Sequence, residues 1–132
     1  MKRWWVLVLV LVVGLLMGCA GNEVKVGIAA NDSTRRLEPG QVIAITLDAN
    51  PSTGYGWQVV GELPDILQQM GDVEFKAAAG SAGRVGAGGT LTLRFKVLKA
   101  GSAKLTLGYL RSIEKDTAPE QTYTLMIEAA NK

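Results

Sequence analysis

After residue 22 the apolar side chains recur at every second position, and that period leaves the chain little choice but to build strands. In residues 41–48, Ile43, Ile45 and Leu47 share one face; in 90–97, Leu91, Leu93, Phe95 and Val97 do so, opposite Thr92, Arg94 and Lys96. A period of two places one set of side chains on each face of a pleated strand, so these segments read as half-buried strands. The pattern returns in 104–110 with Leu105, Leu107 and Tyr109, and in 121–129 with Tyr123, Leu125 and Ile127. Weaker runs lie at 23–29, 55–60 and 73–76. Between the last two, residues 63–70 read as a short helical turn, opened near Pro64 and Asp65 and ended by Gly71.

Seven short strands with Gly and Pro between them predict an all-β chain, an immunoglobulin-like antiparallel β-sandwich of about seven strands. Trp57, on the third strand, suits the core position that such domains give to tryptophan. If consecutive strands alternate in direction, the second, fourth and sixth connections emerge at one end. These are the unusual ones: residues 50–56, the long 77–89 segment and 111–120, whereas 98–102 is compact. Long Gly-rich connections cost conformational entropy and pack poorly, so their convergence points to a binding surface.

The first 18 residues stand apart from this pattern. Lys2 and Arg3 precede an apolar stretch, residues 4–16, which is shorter than the ~20 residues that span a bilayer. The segment reads as a cleaved export signal. Leu16-Met17-Gly18-Cys19 resembles the lipobox of bacterial lipoproteins, with Cys19, the only cysteine, as lipid acceptor. The expected division is a signal peptide, 1–18, and one domain, 19–132. The expected location is the bacterial cell envelope, on the periplasmic face of the outer membrane if the cell has two. Without Lys2 and Arg3 the fourteen basic residues become twelve, equal to the twelve acidic ones. A balanced chain with scattered Lys and Arg supplies no phosphate-neutralising face, so nucleic acid is not an expected partner.

Histidine is absent. That removes Ser-His-Asp and Cys-His catalysis and every His-ligated metal site, while the lone cysteine is committed to lipid. No Ser and Lys stand in a recognisable catalytic motif, and Asp116 and Glu120 read as loop-solvating carboxylates. No catalytic residue, metal or cofactor is expected. Residues 80–90 are rich in glycine, but they lead into a strand and lack the Lys-Ser/Thr and following helix of a phosphate-binding loop. Their bare backbone suits β-type hydrogen bonding to a partner chain.

Asn50-Pro51-Ser52-Thr53-Gly54-Tyr55-Gly56-Trp57 holds the most specific signal. Asn50 can close an Asx turn, Pro51 fixes its own φ, Gly54 and Gly56 permit unusual backbone, and small hydroxyls sit at the tip. This segment resembles the Asn-Pro-Thr-Thr-Gly loop of the chagasin-like inhibitors (family I42) of papain-family cysteine proteases. Gly86, Ala87, Gly88 and Gly89 correspond to that family's Gly-rich loop. Arg111, Ser112 and Ile113 stand where its Arg-Pro-Trp loop would be, with the Pro and Trp replaced. The resemblance implies a monomeric, reversible, non-covalent inhibitor that occludes a papain-like protease cleft with three loops. Asn50, Pro51, Ser52, Thr53 and Gly54 would enter the cleft, with Ser52 and Thr53 near the catalytic Cys and His; Tyr55 would either touch the partner or support the loop, and the other two loops would grip the rims. The alternative is a lipid-anchored envelope module that uses the same pole for another protein.

Overall fold

The computed structural model describes residues 23–78, 88–111 and 118–131. In chain order the strands are β1 (Glu23–Val26), β2 (Ser33–Leu37), β3 (Val42–Ala49), β4 (Tyr55–Val59), β5 (Leu67–Gln69), β6 (Glu74–Ala77), β7 (Gly89–Val97), β8 (Gly101–Arg111) and β9 (Gln121–Ala129). They form two sheets. One has the order β1-β3-β7-β5, with β6 also paired to β7; the other runs β2-β9-β8-β4.

The alternating segments are the framework. β3 and β7 pair antiparallel with Ile43 opposite Phe95, Ile45 opposite Leu93 and Leu47 opposite Leu91. β8 and β9 set Ala103 opposite Ile127, Leu105 opposite Leu125 and Leu107 opposite Tyr123. These inward sets meet between the sheets as one buried cluster that also takes in Trp57, Ile66 and Leu67. Burying one such large apolar side chain is worth about 1.5–3 kcal/mol. The three ion pairs among the described residues are partly or largely exposed and contribute ~0–1 kcal/mol each. Apolar packing therefore holds the sandwich.

Two buried aromatics carry polar atoms that find partners across the fold. Trp57 Nε1 donates to the Asp48 carbonyl at 3.0 Å, tying β4 of one sheet to the end of β3 in the other. The Tyr123 hydroxyl donates to the Gly27 carbonyl at 2.9 Å. On the outer face of the first sheet, Arg94 reaches Glu74 at 2.6 Å and Glu23 at 3.4 Å, so a central strand clamps both edges.

The two-sheet all-β sandwich agrees with the sequence reading, with three differences. The described residues hold nine strands, not seven: β2 was not anticipated, because only Leu37 of Ser33–Leu37 is buried and no alternation marks it. Residues 63–70 are not helical. Leu67 N–H donates to the Pro64 carbonyl, closing a single turn, and the chain then enters β5 on the edge of β7. The unpaired β7 edge offers backbone partners that outweigh a weak local helix signal. Finally, two edge pairings, β1 with β3 and β2 with β9, are parallel. The chain changes sheets between β1 and β2, through a 3-10 turn at Ile28–Ala30 and a left-handed Asp32, so each short strand lies beside a strand distant in sequence.

Candidate functional site

The register brings the ends of six strands together. Ala49 and Ala77 both pair with Gly89, Tyr55 pairs with Arg111, and Tyr109 pairs with Gln121. The connections after β3, β6 and β8 thus leave from one pole, as the strand-alternation argument expected.

The turn after β3 is built from its own side chains. Pro51–Thr53 is a 3-10 turn with Asn50 as its N-cap and Gly54 at φ 84° as its C-cap. Asn50 Oδ1 accepts from Ser52 N–H at 3.3 Å and from Ser52 Oγ at 2.5 Å. Thr53 Oγ1 donates to the Asn50 carbonyl at 2.7 Å and accepts from Tyr55 N–H at 3.4 Å. Both hydroxyls are turned inward, so Ser52 and Thr53 brace the tip and do not simply display their oxygens. Proline starts the turn where its missing N–H costs nothing, and glycine ends it in a conformation unfavourable for other residues.

Beneath the turn lies an aromatic stack. Asn50 N–H donates to Tyr109 Oη at 3.1 Å. The Tyr109 ring lies 5.2 Å from Trp57 and 5.3 Å from Tyr55, and the Arg111 guanidinium sits 4.8 Å above the Tyr55 ring. Tyr55 is half-buried in this stack, which makes it a support for the loop. A charged group over a ring face adds about 0.5–1 kcal/mol at an exposed site, enough to orient Arg111. Alternation marks Tyr109 only as a core-facing strand residue; its position two residues before Arg111, where β8 ends, is the sequence sign of a place at the pole.

At the described end of the Gly-rich segment, glycine makes room for the chain's own backbone. Gly89 lies between β3 and β6, and a Cβ there would stand 2.2 Å from the Lys76 carbonyl oxygen. Ala78 N–H donates to the Gly88 carbonyl, continuing the β6–β7 hairpin. The space that glycine leaves at Gly89 is filled by the chain's own β6. A shallow groove runs between this hairpin and the 50–54 turn, lined by Asn50, Lys76, Gly88, Thr90, Tyr109 and Gln121 among others. Gly86, Ala87, Ser112, Ile113 and Cys19 lie outside the described residues.

A sandwich carrying a braced turn, a hairpin and a cation-capped aromatic stack at one pole defines a loop-presenting binding protein. The family model of the chagasin family peptidase inhibitor I42 matches residues 36–127. Amoebiasin-2 of Entamoeba histolytica is 32% identical over 95 residues, covering 72% of this chain and 76% of the relative. Chagasin of Trypanosoma cruzi is 31% identical over 108 residues, covering 80% and 96%. Among solved structures, the cysteine protease inhibitor EhICP2 of Entamoeba histolytica superposes with a TM-score of 0.69 at 28% identity, over 82% of this chain and 96% of that one. The chain belongs to the chagasin family of peptidase inhibitors. It is an inhibitor-family protein and not an enzyme.

Proposed function

We propose that this protein inhibits papain-like cysteine proteases reversibly and without covalent chemistry. The 50–54 turn enters the active-site cleft, while the hairpin beside Gly88 and the loop after Arg111 hold its rims. The observation that carries this reading is the internal bracing of the turn. A protease cleaves an extended segment with an aligned carbonyl, and a 3-10 turn capped by Asn50 and Gly54 holds the tip away from that geometry. Because the turn is ordered before binding, little conformational entropy remains to be lost on association. Asn50, Pro51, Ser52, Thr53 and Gly54 form the wedge and Arg111 a flanking contact. Tyr55, Gly88 and Gly89 position them.

The test is a titration of residues 20–132 against papain, a cathepsin L-like enzyme and trypsin. Competitive, reversible inhibition of the first two, with trypsin untouched, is expected. Full papain-like activity at saturating protein would overturn the reading in favour of the envelope module.

We further propose that Cys19 carries lipid and anchors the protein in a bacterial envelope, an inference from the Leu16-Met17-Gly18-Cys19 context. Cys19→Ser should abolish palmitate labelling and leave an unprocessed precursor. Unchanged labelling would sink it.

A further inference from the structure

The lipid anchor fixes one point of the chain, and the topology fixes where that point stands relative to the loops. Glu23 opens β1 and lies opposite Val42, the first residue of β3; Val26 lies opposite Ile45. β3 then continues to Ala49, beside Gly89 at the pole. Its eight residues span roughly 25 Å at ~3.3 Å each. The chain therefore enters the sandwich at the end away from the loops. Tight connections close that end. Gln41 N–H donates to the Glu38 carbonyl at 3.1 Å, Gly40 N–H donates to the Val97 carbonyl at 2.7 Å, and residues 98–100 join β7 to β8. Leu98, 47% exposed, stands there with Lys99 beside it, also exposed.

Glu23 follows Cys19 by four residues, which reach at most about 14 Å when fully extended. Laying the pole on the bilayer would lift Glu23 roughly 25 Å from the lipid, farther than this tether extends. We infer that the end formed by residues 38–41 and 98–101 is the surface that faces the membrane, and that the fold holds the loop pole toward the aqueous side. The inference rests on the lipid reading of Cys19. It is independent of which protease binds. A soluble enzyme then meets the pole without competition from the bilayer, and the apolar Leu98 is positioned at the lipid surface.

Energy transfer tests it. The full, lipidated protein is placed in phosphatidylethanolamine and phosphatidylglycerol vesicles bearing a headgroup-linked acceptor, with a donor dye on K99C or on A118C. Residue 99 stands at the membrane-facing end and residue 118 near the pole, where Glu120 N–H meets the Tyr109 carbonyl. Transfer from position 99 is expected to exceed that from 118 several-fold. A Gly/Ser insertion of about 20 residues after Gly21 should erase most of the difference, because a flexible tether that long permits every orientation. Equal or reversed transfer in a chain whose intact mass includes the lipid would overturn the orientation and leave the anchor standing. A chain whose mass lacks lipid would remove both. Persistence of the full difference with the long tether would overturn the tether as its cause.

Discussion

Asn50 N–H donates to the hydroxyl oxygen of Tyr109 across 3.1 Å, joining the loop that leaves one sheet to a strand of the other. The residue that starts the 50–54 turn is thereby held by the strand that ends at Arg111, and two of the three loops share one support. Movement of β8 against β3 would move the turn. The stacking of Tyr109 between Tyr55 and Trp57 resists that movement.

Tyr109→Phe keeps the ring packing and removes the acceptor for Asn50 N–H. A net loss of about 1 kcal/mol is expected from one such hydrogen bond. Inhibition of papain should weaken roughly fivefold, since ~1.4 kcal/mol is tenfold. Measuring the inhibition constant beside the melting temperature checks it; an unchanged constant would show that the wedge does not depend on this support.

Thr53→Val preserves the shape of the side chain but removes the donor to the Asn50 carbonyl and the acceptor for Tyr55 N–H. The site is exposed, so thermal stability should change little. Inhibition should weaken about three- to tenfold as the turn becomes less ordered before binding. A large fall in melting temperature with unaltered inhibition would assign Thr53 to the fold instead.

Gly89→Ala drives a methyl group into the Lys76 carbonyl, which is backbone and cannot swing away. The variant should lose about 2 kcal/mol or more through overpacking, seen as a lower denaturation midpoint. Hydrogen exchange should rise first in β6, whose pairing with β7 is displaced.

Burial raises the pKa of Tyr123 above the usual phenol value. An unfolded tyrosine ionises near pH ~10, so the contribution of the neutral, buried phenol is fully present below that pH. It is lost as pH climbs through the higher folded value. Tyr123→Phe should flatten the alkaline limb of the stability profile, while at neutral pH it gives up about 1 kcal/mol with the bond to the Gly27 carbonyl. Denaturation midpoints from pH 7 upward measure both effects.

Ser112→Pro with Ile113→Trp should tighten inhibition about tenfold or more, mainly through slower dissociation. An interface Trp is often worth ~2 kcal/mol, and proline stiffens the segment following Arg111. An unchanged constant in the double variant would show that this loop does not touch the enzyme.

The sequence alone determined which side chains face inward. β3, β7, β8 and β9 were legible because a half-buried strand writes its burial as a period of two, and Leu91, Leu93, Phe95 and Val97 allow no other reading. The 50–54 turn was legible as well, since its cap, proline and glycine act within a few residues of one another. Only the tertiary structure decided what lies opposite what. The parallel placement of β1 and β2, the conversion of residues 67–69 into an edge strand and the occupation of Gly89 by the Lys76 carbonyl all depend on chain segments distant in sequence. The same holds for Tyr109. Its period marks a core-facing residue, but that its hydroxyl meets Asn50, 59 positions away, follows from the packing of one sheet on the other. Periodicity records exposure to solvent, whereas partners are chosen by the closure of the whole sandwich.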